Sequence, residues 1–394
     1  MMTRFLHTAD WQLGKRFGSV SDPSKQETLR SARFQAIERL AAAARTHEVD
    51  FVLVAGDLFD SPTASKDVVS RAFAAIGGIP APVFAIPGNH DHGGPGSLWE
   101  QPHFLAEEAS LAQNFTLLTE PKPHLAGKAV ILPCPLLRRH SSANPLAWIP
   151  GAGMSGEGLP DDLVRIVLAH GTTQEFGAER DADDGPSSPN LIDLSILDTE
   201  ALDYIALGDW HGTKKVGPKA WYSGALEPDR FPKNSEYESG QALLVEIAER
   251  GSLPVVTPIR TGGIAWHEID HDFQGEDARA VFEARLQDLL GSRVHQDALR
   301  LALSGSLSLE DDAALSGILE RYGARALRLE VRQRPGIQPS ESEIQELAAR
   351  PGDPLLAAVA SRLQADNASD PLSIEGLRQL FACVRELENG GAAR

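Results

Sequence analysis

Asp10, Asp57, Asn89, His90, His170, Asp209 and His211 share a setting: each follows closely on a short apolar run and lies beside a glycine or in a polar turn. In open α/β sheets ligands gather at the carboxyl ends of strands, so five such runs ending in oxygen or imidazole donors point to one shared site. Taken singly, each donor has a structural explanation. An Asp after a strand caps the next helix, and a His is satisfied on a surface or within a core. That explanation must hold separately at every strand end, whereas one metal centre accounts for all of them. Two divalent ions about 3.5–4 Å apart need a short anionic bridge, which an Asp carboxylate supplies, and water activated there attacks phosphorus in line with the leaving oxygen. The departing alkoxide needs a proton or a positive neighbour, a role for His90. Asp91 either orients that imidazole or stabilises the turn.

The elements that must position these donors follow from the hydrophobic pattern. "FLHTADWQLG" (5–14), "DFVLVAGDLFD" (50–60), "APVFAIPGNHD" (81–91), "RIVLAHG" (165–171) and "DYIALGDWHG" (203–212) read as buried strands running into turns. Leu29, Ala32, Phe34, Ile37, Leu40 and Ala44 recur at helical spacing, and 67–76 reads as a second helix. Strands alternating with helices predict an α/β fold. "GQALLVEIAERGSLPVVTPIRT" (240–261) predicts a hairpin around Arg250-Gly251, and 179–190 a polar loop in which "ERDADDG" is a solvated run and not a metal site. Composition changes near 262–272. Helix 275–291, strand 299–305, helix 309–321 and strand 325–332 then predict a small separate domain, and only helical patterns follow. Among them Leu377, Leu380, Phe381, Val384 and Leu387 form an apolar stripe. The expected organisation is therefore 1–265, 266–335 and 336–394.

Composition sets outer bounds. A length of 394 residues suggests two or three units, and 42% hydrophobic with 23% charged residues is the balance of a soluble globular protein. No apolar run suffices to span a membrane, and the N-terminus carries no leader-like stretch. Cys134 and Cys383 fit neither a disulfide framework nor a zinc knuckle, so a cytoplasmic protein with reduced thiols is expected. The net charge of −18 argues against coating nucleic acid with the whole surface. Bound cations and local basic residues can still reverse the sign where substrate sits.

"D-x-Q", "GDLFD", "GNHD", "AHG" and "GDWHG" occur in the order of the calcineurin-like metallophosphoesterase motifs, and residues 5–91 resemble the SbcD-type DNA repair nucleases in particular. The match covers roughly residues 4–230 motif by motif; beyond them it rests on layout. The resemblance implies a four-layer α/β/β/α sandwich with a small α/β cap domain and C-terminal helices, holding two divalent ions. Carried over by position, Asp57 bridges both ions. Asp10, Gln12 and His211 complete the first ion, and Asn89, His170 and Asp209 the second. His90 sits beside them and assists the leaving oxygen. The resemblance also implies DNA as substrate, a partner ATPase of the SMC-like, SbcC type that receives the C-terminal helices, and a homodimer.

Two positions depart from that pattern. Gln12 stands where the family has His, and Asp209 replaces the first His of GHxH. Together they move the donor set from nitrogen toward oxygen, which favours Mn²⁺ or Mg²⁺ over zinc. Either Gln12 ligates through its amide oxygen, or it does not and the first ion is held weakly. Lys15-Arg16, Arg138-Arg139 and Lys214-Lys215 follow closely on motifs or strand ends. They either line the mouth and hold phosphates or are solvated surface. Trp221, Tyr222 and Phe231 either contact bases or belong to the core, and the apolar stripe either docks the ATPase or packs on the chain itself. Three functions follow: a DNA exonuclease or endonuclease, a small-molecule phosphodiesterase or phosphatase, and a non-catalytic scaffold for DNA ends or the ATPase.

Overall fold

A computed structural model describes residues 2–151, 160–173, 190–234, 237–274, 277–338, 340–349, 353–365 and 370–391. All of the polar loop expected over 179–190 except Asn190 lies outside them. The chain divides into two compact units, Met1–Ala265 and Trp266–Arg394.

In the first unit two six-stranded sheets pack face to face. One runs Val255–Arg260, Gln241–Ile247, Thr3–Thr8, Phe51–Ala55, Val83–Ile86, Phe115–Leu117 from edge to edge; the other runs Lys214–Lys215, Ala220–Tyr222, Tyr204–Gly208, Val164–His170, Ala129–Cys134, His124–Ala126. Side chains alternate across each strand. Phe5, Phe51, Leu53 and Phe84 point to the second sheet and meet Ile131, Ile166, Leu168 and Tyr204. Leu6, Val52, Val54 and Val83 point the other way, against helices α1 (Pro23–Thr46), α2 (Lys66–Gly77) and α3 (Pro102–Leu111). Burial on both faces is why these strands read as unbroken apolar runs. Leu132, Val167, Ile205 and Leu207 on the far face of the second sheet are covered by Leu146, Ile149, Ile192 and Leu197. The result is the α/β/β/α sandwich. Among the described residues its fourth layer is made of loops and short 3₁₀ turns, at Ile149–Gly151 and Leu194–Ile196.

One polar pair bridges the two sheets. His7 accepts from the Tyr204 hydroxyl at Nδ1 (3.0 Å) and donates from Nε2 to the Leu207 carbonyl (3.2 Å), which uses both nitrogens of a neutral ring. Burial lowers its pKa to about 3 against the pull of the Leu207 carbonyl. The unfolded chain takes up a proton near pH 6.5 that the folded chain refuses until about pH 3, so stability is full above 6.5 and falls as pH drops through that window. At pH 5 the expected loss from this one group is about 2 kcal/mol. Denaturant titrations of wild type and His7→Asn from pH 7 to 5 check it: the variant's curve should be flatter by that amount. Parallel curves would show that the ring is not the group being protonated.

In the second unit Trp266–Phe273, Ala298–Leu307 and Arg328–Gln333 form a parallel sheet, crossed over by α4 (Ala278–Leu290) and α5 (Leu309–Arg325). The strand Trp266–Phe273 is an element that the hydrophobic pattern does not announce. Only Trp266, Ile269 and Phe273 are buried along it, which breaks the two-residue period of a strand. Three helices follow: α6 (Glu341–Ala348), α7 (Pro354–Ala365) and α8 (Pro371–Gly391). Leu377, Phe381 and Val384 of α8 are buried with Leu347, Ala360 and Leu309, and Leu380 packs beside them. Arg378 pairs with Asp312 of α5 at 2.8 Å. The apolar stripe is thus covered by its own chain, the side chain of Leu387 lying outside the described residues. Cys134 and Cys383 are both free thiols. Among the described residues no helix is long and apolar enough to cross a membrane.

Candidate metal centre

The carboxyl ends of Thr3–Thr8 and Phe51–Ala55 are tied to each other before any side chain is considered. Asp10 N donates to Gly56 O (3.1 Å), Gln12 N to Asp57 O (2.9 Å) and Leu13 N to Leu58 O (2.9 Å). This lacing holds Asp10, Gln12 and Asp57 at φ of 53°, 42° and 54°, and Asp209, across the site, stands at 102°. Non-glycine residues enter that region only at a cost, and clusters of them mark functional sites. Gly56, at φ 87°, leaves room for the His170 ring, which a Cβ there would strike. Gly88 does the same for the Asp57 carboxylate.

Asp10, Asp57 and His170 are buried, with one donor atom of each within 4.8 Å of the others. His170 donates from Nδ1 to the Ala55 carbonyl (2.7 Å), which turns Nε2 to the carboxylates: 3.5 Å from Asp57 Oδ1 and 3.7 Å from Asp209 Oδ1. Asn89 Oδ1 lies 2.9 Å from the same nitrogen. With its carboxamide turned over, Asn89 donates to His170 Nε2 at 2.9 Å and to Asp57 Oδ1 and Oδ2 at 3.2 and 3.1 Å. Asp209 accepts from the Thr172 hydroxyl (2.6 Å), and its backbone N–H points at the Asp10 carboxylate (3.2 Å).

The electrostatics fit a cation. Burial, opposed by His170 and reinforced by Asp57 and Asp209, drives the Asp10 carboxyl far above its usual range. Burial alone would lower His170, but Asp57, Asp209 and Asp10 raise it to about 9. A proton on His170 thus stands in for positive charge that this crowd of oxygens demands. A hard divalent ion is the natural holder of such a donor set. Asp10, Asp57 and His170 could hold such an ion, with Asn89 and Asp209 beside His170 and His211 beside Asp10.

His211 donates from Nδ1 to Asp229 Oδ1 (3.1 Å), which leaves Nε2 facing Asp10 Oδ1 at 3.9 Å and Gln12 Nε2 at 3.2 Å. A carboxylate behind a ligating imidazole fixes its tautomer and its direction. Asp229 is buried, yet His211, Arg230 and Lys15 hold its carboxyl well below the usual range. Lys15 Nζ reaches Asp229 Oδ2 at 3.0 Å, and the buried Arg33 lies 3.6 Å from the same oxygen. The sequence offered no spacing that singles out Asp229 or Arg33. Arg33 sits on a helix that reads as amphipathic, and Asp229 in "WYSGALEPDRF" (221–231), a stretch that resembles a loop near the family's active site without marking this residue.

The seven donors and His90 are therefore brought together, while the other candidates divide. His90 is half-buried; its Nδ1 donates to the Asp60 carbonyl (2.8 Å), and its Nε2 lies 4.0 Å from Asp57 Oδ2. Asp91 does not orient that ring. Its carboxylate accepts from Phe59 N (3.0 Å) and Gly88 N (2.7 Å), so it fixes the turn that carries Asn89 and His90. Burial, with Asp57 adding to it, raises Asp91 to about 7. Arg16 is exposed and lines a cleft of about 340 Å³ with Arg30, Asp60 and Arg71. Arg138 and Arg139 are exposed on a loop pinned to the GNHD turn through Leu136 N to Pro87 O and Gly93 N to Leu136 O. Lys214 and Lys215 lie over the Trp210 and Trp221 rings. Tyr222 and Phe231 are core residues; the Tyr222 hydroxyl donates to Gly171 O and accepts from Thr173 N.

Known proteins share this arrangement in part. The chain is 36% identical over 92 residues to the SbcD component of the nuclease SbcCD from Escherichia coli (strain K12), 22% of this chain and 21% of that protein. It is 30% identical over 247 residues to the DNA double-strand break repair protein Mre11 of Methanosarcina acetivorans, 59% of this chain and 35% of that protein. It thus spans about a fifth and about a third of these relatives' lengths. Among solved structures, TT1561 of Thermus thermophilus is 12% identical with a TM-score of 0.39, over 66% of this chain and 100% of that one. Residues 3–213, more than half of the sequence and all seven donors, match the calcineurin-like phosphoesterase family, and the chain belongs to it.

Proposed function

We propose that this chain is a metal-dependent DNA nuclease of the SbcD type. It hydrolyses phosphodiesters as an exonuclease, an endonuclease or both, in cytoplasmic DNA repair or end processing, together with an SMC-like, SbcC-type ATPase and as a homodimer. The observation that carries the reading is the meeting of Asp10, Asp57 and His170 donor atoms at one buried point, each from a different strand end. The names of the relatives favour DNA over a small phosphate ester, and so does a second unit that a small-molecule phosphatase does not need.

Two divalent ions, Mn²⁺ or Mg²⁺ in preference to zinc for this oxygen-rich set, supply Lewis acidity and a nucleophilic water at neutral pH. The residues divide the remaining tasks. Asp57 is read as the carboxylate that both ions share. His170 and His211 present Nε2 because their Nδ1 atoms are held by Ala55 and Asp229. His90, its Nδ1 held by Asp60, keeps Nε2 available to hand a proton to the departing oxygen. Arg16, Arg138, Arg139, Lys214 and Lys215 are read as the groups that meet phosphates of a bound strand.

Incubation of the protein and Mn²⁺ with labelled single- and double-stranded DNA, beside bis-p-nitrophenyl phosphate, tests this. Cleavage of DNA is expected, falling by about 10²–10⁴-fold in His90→Ala, the usual contribution of a positioned acid. Ester cleavage without DNA cleavage would replace the nuclease with a small-molecule phosphodiesterase, and inertness toward both with bound ions would leave a scaffold.

A further inference from the structure

The hydrogen bonds around Gln12 form a chain in which each donor dictates the next. Asp229 can only accept, so His211 carries its proton on Nδ1 and presents a bare Nε2. Gln12 Nε2, 3.2 Å away, donates to that nitrogen. The amide oxygen is thereby turned outward, where Lys15 Nζ donates to it at 2.7 Å. Lys15 is held in turn by Asp229 at 3.0 Å and Asp60 at 3.6 Å. Turning the amide over would set its NH₂ against an ammonium and its oxygen against a bare ring nitrogen, two mismatches at once. The carboxamide is locked with its non-ligating end toward the site, and it occupies the lone pair that His211 would offer a cation.

We infer that Lys15 is a positioning residue that makes the two ion sites unequal. In the group of Asp57, Asn89, His170 and Asp209 the amide is not pinned by an ammonium in this way among the described residues, since either end of Asn89 can face His170 Nε2, and that group binds its ion more tightly. The group of Asp10, Gln12 and His211 must first break two hydrogen bonds and bring Gln12 oxygen away from Lys15, so its ion binds second and more weakly. This rests on the two-ion reading above and adds the order and inequality of loading.

Calorimetric titration of the metal-free protein with Mn²⁺, with free Mn²⁺ counted by its EPR signal, reads this without activity. Wild type should give two steps at least about tenfold apart, within the range by which outer partners tune metal affinity. Lys15→Met should tighten the weaker step by about tenfold and leave the tighter one unchanged, which also reports a folded site. Lys15→Arg, which keeps a donor, should retain the gap, and Gln12→His should narrow it. Two equal steps in wild type, or a weaker step that Lys15→Met leaves alone or loosens, would overturn the inference while the two-ion reading stands. A single ion at saturation in wild type and both Lys15→Met and Gln12→His would overturn that reading as well.

Discussion

Asp57→Ala should bind neither ion and lose more than about a thousandfold in turnover, some 4 kcal/mol of transition-state stabilisation. On the two-ion reading its carboxylate is the anion both ions share; it is 2 % exposed, with Oδ1 accepting from His90 N at 2.9 Å and lying 3.5 Å from His170 Nε2. Removing it takes the shared anion from both groups, and with it the anchor of the turn that carries His90. Asp57→Asn separates those two losses. It keeps an oxygen for His90 N but discards the charge, so it should fold as wild type does and still fail to hold two ions. Metal content after dialysis, read beside the melting temperature, checks both variants. A dialysed Asp57→Ala that retains two ions and full activity would end the reading of Asp57 as the ligand both ions share.

The second large effect concerns a residue that touches neither ion. Asp229→Ala should destabilise the protein by about 3–5 kcal/mol, the usual consequence of deleting one partner of a buried ion pair. Arg33 is 2 % exposed, and its Nε and Nη2 have no hydrogen-bond partner, so Asp229, 3.6 Å from Nη2, is its principal charge compensation. His211 would lose the acceptor that fixes its tautomer, and ion affinity should fall by about 10–100-fold. A thermal melt would register roughly a 10 °C drop for a unit of this size. Asp229→Asn should recover part of the stability, since an amide oxygen can still accept from His211. A change under about 1 kcal/mol in the alanine variant would mean that water reaches Arg33 in its place.

Much of this was legible in the sequence because ligands and strands share a grammar. A run buried on both faces is continuous, and its end is marked by the residue that leaves the sheet. Asp10, Asp57, Asn89, His170 and Asp209 could therefore be found from the runs that precede them. What supports those ligands is harder to read. Asp229 meets His211 from 18 residues further along the chain, and the carbonyl that holds His90 belongs to Asp60, whose side chain says nothing about it. Asp91 reads in the sequence as either His90's partner or a turn residue, because adjacent residues offer no clue to which backbone amides a carboxylate will meet. Orientation was equally hidden. Gln12 was open as a ligand, and only the position of Lys15 shows which end of its amide faces inward.

The four site positions with positive φ also bear on how this sequence would respond to optimisation. Left-handed backbone costs an ordinary residue about 1–2 kcal/mol, less for Asp, and nothing comparable for glycine. Local frustration is therefore concentrated where the donors sit, and the rest of the sandwich must hold it in place. A search for heat-stable variants of the ion-free protein would be drawn to Asp10 and Asp209, where glycine relieves both strain and crowding of charge. On the proposed reading each such gain would erase a ligand. The positions that most improve folding are the ones that selection for function must leave uncomfortable.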